Sequence, residues 1–181
     1  MSQWEREKTF TISISQSRAN GVGVVAVGSS LWNMRWCAVD NDGMIRTVRL
    51  HLSTSDQGDA HDITAKVDGA LKESGLTSGV ITVFVTGSTA AVTTIEFEPG
   101  AISDFNRLFE QLAPRRDEYR HHLRWGDDNG SSHVRAALLG PSLTIPFVDG
   151  ALTLGTWQQI MIIEFDTSGR RREVVLQMIG E

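Results

Sequence analysis

The alternation of apolar and polar residues after position 43 predicts a series of strands. Val48, Leu50 and Leu52 alternate with polar side chains, which is typical of a strand with one buried face. Apolar and β-branched runs predict five more strands, at 80–85, 91–97, 143–148, 159–165 and 172–178. The first two of these runs are joined by the polar segment 86–89, so we expect them to form a hairpin with a polar tip.

Apolar residues at helical spacing predict two longer helices. The first follows Asp62, a good N-cap residue, and ends at Gly75. The second follows Pro99-Gly100 and stops before Pro114, because proline cannot continue a helix.

A short third helix is predicted between Ser131 or Ser132, either of which can cap it, and the break at Gly140-Pro141. The polar segment 115–129 before it is predicted to be a surface loop. We expect the apolar side chains of this short helix to face inward, namely Val134, Ala137 and Leu138. Strands mixed with helices in this order predict an α+β fold.

Residues 1–43 differ from the rest of the chain, since they hold three of the five tryptophans and the single cysteine. Segments 9–15 and 22–27 both have strand-like patterns, and either both or neither form strands. Asn41-Asp42-Gly43 is a strong turn signal. We therefore predict an N-terminal extension at 1–43 and a main domain at 44–181.

The composition favours a globular protein without nucleic-acid or membrane partners. Of 181 residues, 40% are hydrophobic and 22% are charged, and the net charge of −5 opposes binding to a polyanion. The longest glycine-rich apolar run, 21–31, is shorter than a membrane helix, and Glu5 and Glu7 do not fit a signal-peptide start. One cysteine allows no internal disulfide, so we expect a cytoplasmic protein.

A histidine-rich stretch is the first candidate for chemistry. His121, His122 and His133 flank Asp127, Asp128 and Asn129. Imidazole together with carboxylate or amide oxygens is suited to zinc or another first-row metal. The spacing matches no established metal motif, so a solvated loop of mixed charge is the alternative.

Two further groups of residues could take part in catalysis or binding. Glu96 and Glu98 point to one face of their strand and could act as acid and base, or be ordinary solvent-facing carboxylates before a turn. Ser88 and Thr89 lack a nucleophile elbow, and a phosphate or carboxylate bound by turn amides and hydroxyls is the simpler use of them.

Cationic side chains supply the last candidates, because guanidinium groups grip phosphate well. The run 170–172 is either a solvated turn or such a site, and Arg135 lies beside His133 on the short helix. Neither a dinucleotide-binding fingerprint nor a Walker loop is present, so the common nucleotide-binding motifs lend no support.

Several short motifs occur in one order between Met44 and Glu181, and together they resemble the YjbQ family, small proteins associated with a thiamine-phosphate-synthase side activity. The motifs are Asp62-Ile63-Thr64, Gly87-Ser88-Thr89-Ala90-Ala91-Val92, Glu96-Phe97-Glu98-Pro99-Gly100, Tyr119-Arg120-His121, Asn129 to Gly140, Gly155-Thr156-Trp157-Gln158, and Arg172 to Gly180.

The resemblance implies an antiparallel β-sandwich with flanking helices, assembled as a homotrimer that acts on a small phosphate-bearing ligand. The implied chemistry is a thiamine-phosphate-synthase-like transfer of a hydroxymethylpyrimidine group. The implied site residues are Glu96, His121, His133 and Arg135 for catalysis, with His121 and His133 also as metal ligands, and Ser88, Thr89, Asn129, Trp157 and Gln158 for ligand binding.

This chain departs from the family pattern at two positions. Gly87 and Ser131 stand where many members have histidine. A divalent metal such as zinc or magnesium would therefore have fewer ligands here. The alternatives are a metal-assisted hydrolase that uses His121 and His133, and a non-catalytic trimeric binding protein with an incomplete histidine site.

Overall fold

The computed structural model describes residues 22–27, 30–35 and 44–181. The chain divides into two compact units, one ending at Asp42 and one beginning at Gly43. In the first unit, β1 (Val22–Val27) pairs with β2 (Ser30–Arg35) in an antiparallel hairpin, which confirms a strand at 22–27. The strand pattern at 9–15 lies outside the described residues.

The second unit contains two antiparallel sheets and four helices, which confirms the predicted α+β class. In chain order its elements are β3 (Met44–Ser53), β4 (Ala60–Asp62), α1 (Thr64–Ser74), β5 (Gly79–Val85), β6 (Ala90–Ile95), α2 (Pro99–Leu112), α3 (Arg120–Trp125), α4 (Gly130–Leu139), β7 (Ser142–Val148), β8 (Ala151–Leu152), β9 (Gln159–Glu164) and β10 (Arg171–Gly180).

The two sheets are stacked as layers of a sandwich. The five-stranded sheet has the order β3-β10-β5-β7-β8 and the three-stranded sheet the order β4-β9-β6. One hydrophobic core fills the space between them and includes Val83, Leu176 and Ile162, and Leu71 of α1 packs into the same core. β10 accordingly alternates between buried and half-exposed side chains along most of its length.

A second core lies on the other face of the three-stranded sheet. Ile163 and Phe165 pack there against Phe109 of α2 and Ala136 of α4. β9 is therefore covered on both faces, and five of its six residues are buried. A strand of this kind has a continuous apolar sequence rather than an alternating one.

The predicted hairpin between 80–85 and 91–97 is wrong. β5 pairs with β10 and β7 on its two edges, whereas β6 pairs with β9, so the segment 86–89 crosses from one sheet to the other. Both hydrogen-bonding edges of β5 are already occupied, and β6 is free to enter the second layer. A hairpin and a crossover between sheets both have the pattern strand, turn, strand, so the sequence pattern alone does not distinguish them.

The sequence predicts the positions of α1 and α4 better than it predicts their N-cap residues. Gly75 ends α1 in the left-handed conformation as predicted, but Ile63 occupies the N-cap position. Asp62 precedes it, and its Oδ1 accepts the N–H of Thr64 at 2.8 Å. In α4 the N-cap residue is Asn129 rather than Ser131 or Ser132.

The inward face predicted for α4 is also wrong. Val134, Ala137 and Leu138 are exposed, and the buried positions after Gly130 are Ser131, Ser132, Arg135 and Ala136. The polar side chains can be buried because neighbouring elements offer partners, as Ala113 and Glu110 do for Arg135. The predicted loop at 115–129 likewise contains a helix, α3, which ends at Gly126 in the left-handed conformation.

Within the described segments, no helix combines the length and the apolar character needed to cross a bilayer.

Candidate functional site

The turn between the two sheets and the helix α4 together form a cavity of about 350 Å³. Gly87 and Ser88 of the turn lie on one side, and His133 and Ala137 of α4 lie on the other. The crossover of the chain between sheets brings the turn to α4, since Val92 at the start of β6 donates its N–H to Gly140 at the end of α4. Ser88, predicted to bind the ligand, and His133, predicted to be catalytic, thus share one cavity.

His121 of α3 lies beside His133. Their ring centroids are 4.5 Å apart with the ring planes tilted by 50°. Asp127 Oδ1 lies 3.7 Å from His121 Nε2, on the loop that joins α3 to α4. The structure therefore brings together the two histidines that the sequence singles out.

The donor set beside these histidines does not fit a catalytic zinc site within one chain. Such a site needs three protein ligands and an open position. Among residues 44–181, no group of three or more histidine, cysteine, aspartate or glutamate side chains is placed to hold a metal ion. Gly87 has no side chain to offer, and Ser131 contributes a hydroxyl on another face of α4. Metal binding at His121 and His133 stays a prediction that this geometry does not support.

A buried charged network lies directly behind the turn. Arg172 of β10 donates from Nε to Glu164 Oε2 at 2.7 Å and from Nη2 to Glu164 Oε1 at 2.5 Å. Nη2 also donates to Thr89 Oγ1 at 2.8 Å. Glu164 is 0% exposed and Arg172 is 7% exposed, so this pair is shielded from water. Thr89, a predicted ligand-binding residue, is therefore buried within this network.

Asp166 extends the network toward the surface. Its Oδ2 accepts hydrogen bonds from Thr89 Oγ1 at 3.1 Å and from Arg170 Nε at 2.8 Å. Burial by itself would raise the pKa of Asp166. The hydrogen bonds from Arg170, the Thr167 N–H and Thr89, together with the charge of Arg170, outweigh burial and lower the pKa below its ordinary value of 3.8.

Arg172 uses only two of its three side-chain nitrogens within this network. Nη1 makes no hydrogen bond to any described residue, whereas Nε and Nη2 are both used. A Cβ atom at Gly87 would lie 2.9 Å from Nη1, so the guanidinium lies against the glycine backbone. Gly87 has a φ of +120°, which side-chain-bearing residues rarely adopt. A side chain at position 87 would therefore displace this guanidinium, and Gly87 itself lines the cavity.

Arg135 is buried against α2 rather than directed to the cavity. Its Nε and Nη2 both donate to Ala113 O, and Nη2 also donates to Glu110 Oε2 at 2.6 Å. Burial acts to raise the pKa of Glu110, but the hydrogen bond from Arg135 outweighs it and lowers that pKa. The predicted ligand contact of Arg135 gains no support from this position.

Asn129, at the start of α4, has a buried side-chain oxygen without a partner. The residue is 9% exposed, and its Oδ1 is the one fully buried side-chain atom of the described residues that makes no hydrogen bond. Leaving a buried acceptor unpaired costs free energy. Because this oxygen is fully covered and Asn129 does not line the cavity at Gly87, the predicted ligand contact of Asn129 gains no support from its position.

The remaining predicted site residues lie at the other end of β6. Glu96 follows β6 directly and is exposed, and Gln158 donates to Thr94 Oγ1 at 3.3 Å beside the same strand end. Trp157 next to it is 69% exposed rather than in the core. A strand of six residues spans roughly 20 Å, so these residues do not meet His133 within one chain.

Glu98 has a structural role. Its side chain accepts the N–H groups of Gly100 and Ala101 and so caps α2. This agrees with the interpretation of Glu98 as an ordinary carboxylate before a turn. It does not agree with an acid–base pair of Glu96 and Glu98, because the Glu98 carboxylate already accepts two backbone hydrogen bonds.

Ser131 and His133 face different cavities although both belong to α4. Two positions apart on a helix differ in direction by about 200°. His133 lines the cavity at Gly87, and Ser131 lines a separate cavity of about 460 Å³ on the side of Gln57 and His122. Substituting Ser131 in this chain therefore does not alter the surroundings of His133 directly.

Sequence reasoning missed Glu164, Asp166 and Gln57, and it did not separate Arg172 from its neighbours. Arg170–Arg172 is a single run in the sequence, yet Arg172 is buried whereas Arg171 is exposed. The alternation of β10 is the one signal that could have separated them, since Arg172 lies two positions before the buried Val174.

A protein-family model described as "UPF0047 protein YjbQ-like" matches residues 48–181. A UPF0047 protein of Methanothermobacter thermautotrophicus is 39% identical over 128 residues, which cover 71% of this chain and 88% of that protein. The UPF0047 protein YugU of Bacillus subtilis is 32% identical over 138 residues, covering 76% of this chain and 100% of the relative.

Solved structures agree with the fold. The crystal structure of a "YbjQ-like protein of unknown function" from Sulfolobus solfataricus superposes with a TM-score of 0.74 at 30% identity, covering 77% of this chain and 99% of the other. An uncharacterised protein of the same family from Clostridium acetobutylicum gives a TM-score of 0.65 at 34% identity, with coverage of 72% and 98%.

Replacing Arg172 by methionine should destabilise the protein strongly. The change leaves the carboxylate of Glu164 buried without a cation, and breaking such a pair costs about 3–5 kcal/mol. Urea unfolding of Arg172→Met measures this loss. Arg171→Met is the matched control, because Arg171 is exposed, and it should change the free energy of unfolding by less than about 0.5 kcal/mol. Equal stability of both variants would contradict the role of the network.

The network also predicts loss of stability in acid. The pKa of Asp166 is lowered in the folded state, so its contribution is complete above the unfolded value near 3.8 and is lost as the pH falls through the folded pKa. Free energies of unfolding measured from pH 7 to pH 2 should therefore fall less steeply below pH 4 for Asp166→Asn than for the wild type. The exposed Asp104→Asn serves as control and should keep the wild-type slope.

Proposed function

The chain belongs to the UPF0047 family of YjbQ-like proteins, and on this basis we propose that its cavity at Gly87 and His133 binds a small phosphate-bearing ligand for a thiamine-phosphate-synthase-like transfer. The observation that carries the proposal is the cavity lined by Gly87, Ser88 and His133, with Nη1 of Arg172 packed against the backbone of Gly87.

These groups match the chemistry of a phosphate. A guanidinium N–H, an imidazole N–H and a serine hydroxyl all donate hydrogen bonds, and phosphate oxygens accept them. Because Glu164 and Thr89 already hold the guanidinium in place, Nη1 is oriented before a ligand arrives. Such preorganised donors stabilise charge that develops on a leaving group.

The transfer reaction requires the same groups. In it the thiazole nitrogen forms a bond to the methylene carbon of the pyrimidine, and the bond from that carbon to pyrophosphate breaks. Negative charge grows on the pyrophosphate, which Arg172, His133 and Ser88 would stabilise. The attacking nitrogen needs no base, because it carries no proton to lose. The distance of Glu96 from the cavity is therefore compatible with this chemistry.

A binding protein without turnover is the second candidate. The observation that favours it is the separation of Glu96, Trp157 and Gln158 from His133 along β6, which leaves the cavity of one chain with few polar groups. Ligand binding and turnover therefore have to be measured separately.

Thermal unfolding in the presence of inorganic phosphate, pyrophosphate and thiazole phosphate tests binding. A ligand at 100 times its dissociation constant should stabilise the protein by about 2.7 kcal/mol. His133→Ala should remove most of this stabilisation without changing the fold, because the imidazole lies on the surface of α4. His51→Ala is the matched control, since His51 is exposed on β3, and it should respond like the wild type.

Product formation from hydroxymethylpyrimidine pyrophosphate and thiazole phosphate then tests the transfer, with thiamine phosphate detected by mass spectrometry. Stabilisation by pyrophosphate without any product would support the binding protein and overturn the transferase. No stabilisation by any of the three compounds would overturn both proposals.

The family resemblance further leads us to propose a cytoplasmic homotrimer. Large apolar side chains are exposed on α3 and α4, including Leu123, Trp125, Val134 and Leu138. Exposed apolar patches of this kind mark protein–protein contacts. Association through α4 would place the cavity at His133 close to a neighbouring subunit.

Leu138→Glu should shift the protein from trimer to monomer, because Leu138 is 61% exposed on α4 and a carboxylate would be costly within an apolar contact. Sedimentation velocity measures the change. Ala65→Glu, an exposed substitution on α1, should leave the assembly intact. A monomeric wild-type protein would contradict the proposal.

A further inference from the structure

A second cavity, on the Ser131 side of α4, has the features of a separate ligand site. Its volume is about 460 Å³, and its lining includes Asp56, Gln57, Arg116, Asp117, Asp128 and Ser131. Pockets for small molecules usually fall between about 300 and 1,000 Å³. We propose that this cavity binds a small zwitterion that carries an ammonium group and a carboxylate.

Two buried side chains of the lining have an oxygen to which no described residue donates a hydrogen bond, namely the Ser131 hydroxyl and Gln57 Oε1. Ser131 is 1% exposed, and its hydroxyl makes no hydrogen bond to any described residue. Gln57 is 8% exposed, and its Nε2 donates to Phe165 O at 2.6 Å and to Ser132 Oγ at 3.4 Å, while no described residue donates to its Oε1. Asn129 Oδ1 is the one fully covered polar atom without a partner among the described side chains, so the oxygens of Ser131 and Gln57 are not completely covered, and both residues line the cavity. A bound molecule would satisfy both.

The cavity is lined by both acidic and basic side chains. Asp56, Asp117 and Asp128 supply carboxylates, and Arg116 supplies a guanidinium that forms no ion pair with the described residues. The other arginine of the lining, Arg115, is already used, because its Nη2 donates to Gln57 O at 2.7 Å. An ammonium group suits the carboxylates and Gln57 Oε1, and a ligand carboxylate suits the planar fork of Arg116.

Other ligand classes fit less well. A metal ion would need three close anionic or imidazole ligands, and the described part of the chain contains no such group. Three carboxylates repel a free phosphate, which distinguishes this cavity from the one at His133. The carboxylates are spread around a volume far larger than an ion, so a molecule with two charged ends fits them better.

Isothermal titration calorimetry with three small probes tests the proposal. L-Serine carries both charged groups, ethanolamine lacks the carboxylate, and L-lactate lacks the ammonium group. We expect L-serine to bind at least about tenfold more tightly than either of the others. Arg116→Gln should remove its advantage over ethanolamine, and Asp128→Asn should remove its advantage over L-lactate.

Matched variants separate this site from general effects. Arg124→Gln and Asp104→Asn are exposed and lie outside the lining, so both should bind L-serine like the wild type. Ser131→Leu should abolish binding by filling the cavity, and the surface variant Arg116→Gln remains informative if Ser131→Leu does not fold. His133→Ala should leave L-serine binding unchanged, which keeps this test independent of the phosphate site.

Three results would each overturn the proposal. They are no measurable binding of L-serine, equal binding of all three probes, and L-serine binding that is unchanged in both Arg116→Gln and Asp128→Asn.

Discussion

The bidentate pair between Arg172 and Glu164 joins the two sheets of this domain in an environment shielded from water. Arg172 belongs to β10 of the five-stranded sheet, and Glu164 ends β9 of the three-stranded sheet. Thr89, in the segment that crosses between the sheets, accepts a hydrogen bond from the same guanidinium. A buried pair is costly to form and more costly to break, so this contact favours one relative placement of the layers. The turn at Gly87 and the helix α4 are positioned by that placement.

The stacking of the layers leaves two faces of α4 lining cavities. Its buried residues pack on the three-stranded sheet, with Ala136 in the second core and Arg135 bonded to the end of α2. His133 then faces the cavity at Gly87, and Ser131 faces the cavity at Gln57. One short helix thus borders both the cavity at which we propose phosphate binding and a second cavity with charges of both signs. Losing an imidazole at position 131 changes the second cavity and leaves the first intact.

Part of the candidate site follows from the sequence alone. Ser88, His121 and His133 are predicted from turn chemistry, histidine density and family resemblance, and the structure brings Ser88 and His133 to one cavity with His121 beside His133. The burial of Arg135 could not be predicted from the sequence. An arginine between apolar residues gives no sign that its guanidinium will hydrogen-bond to Ala113 O and Glu110 Oε2 in the folded protein. Glu96 could not be separated from His133 either, since that distance depends on the direction of β6.

The longer strands of the main domain, its two long helices and the α+β class could be predicted from the sequence, because hydrophobic periodicity and turn residues act over a few neighbouring positions, whereas the short strands β4 and β8 gave no such signal. The family also followed from motifs in order along the chain. Strand pairing was decided only by the tertiary structure: the segment 86–89 looks like a hairpin, yet β5 and β6 lie in different sheets because β10 and β7 occupy both edges of β5. The burial of Arg172 next to the exposed Arg171 has the same origin, since a side chain's environment depends on elements far away in sequence.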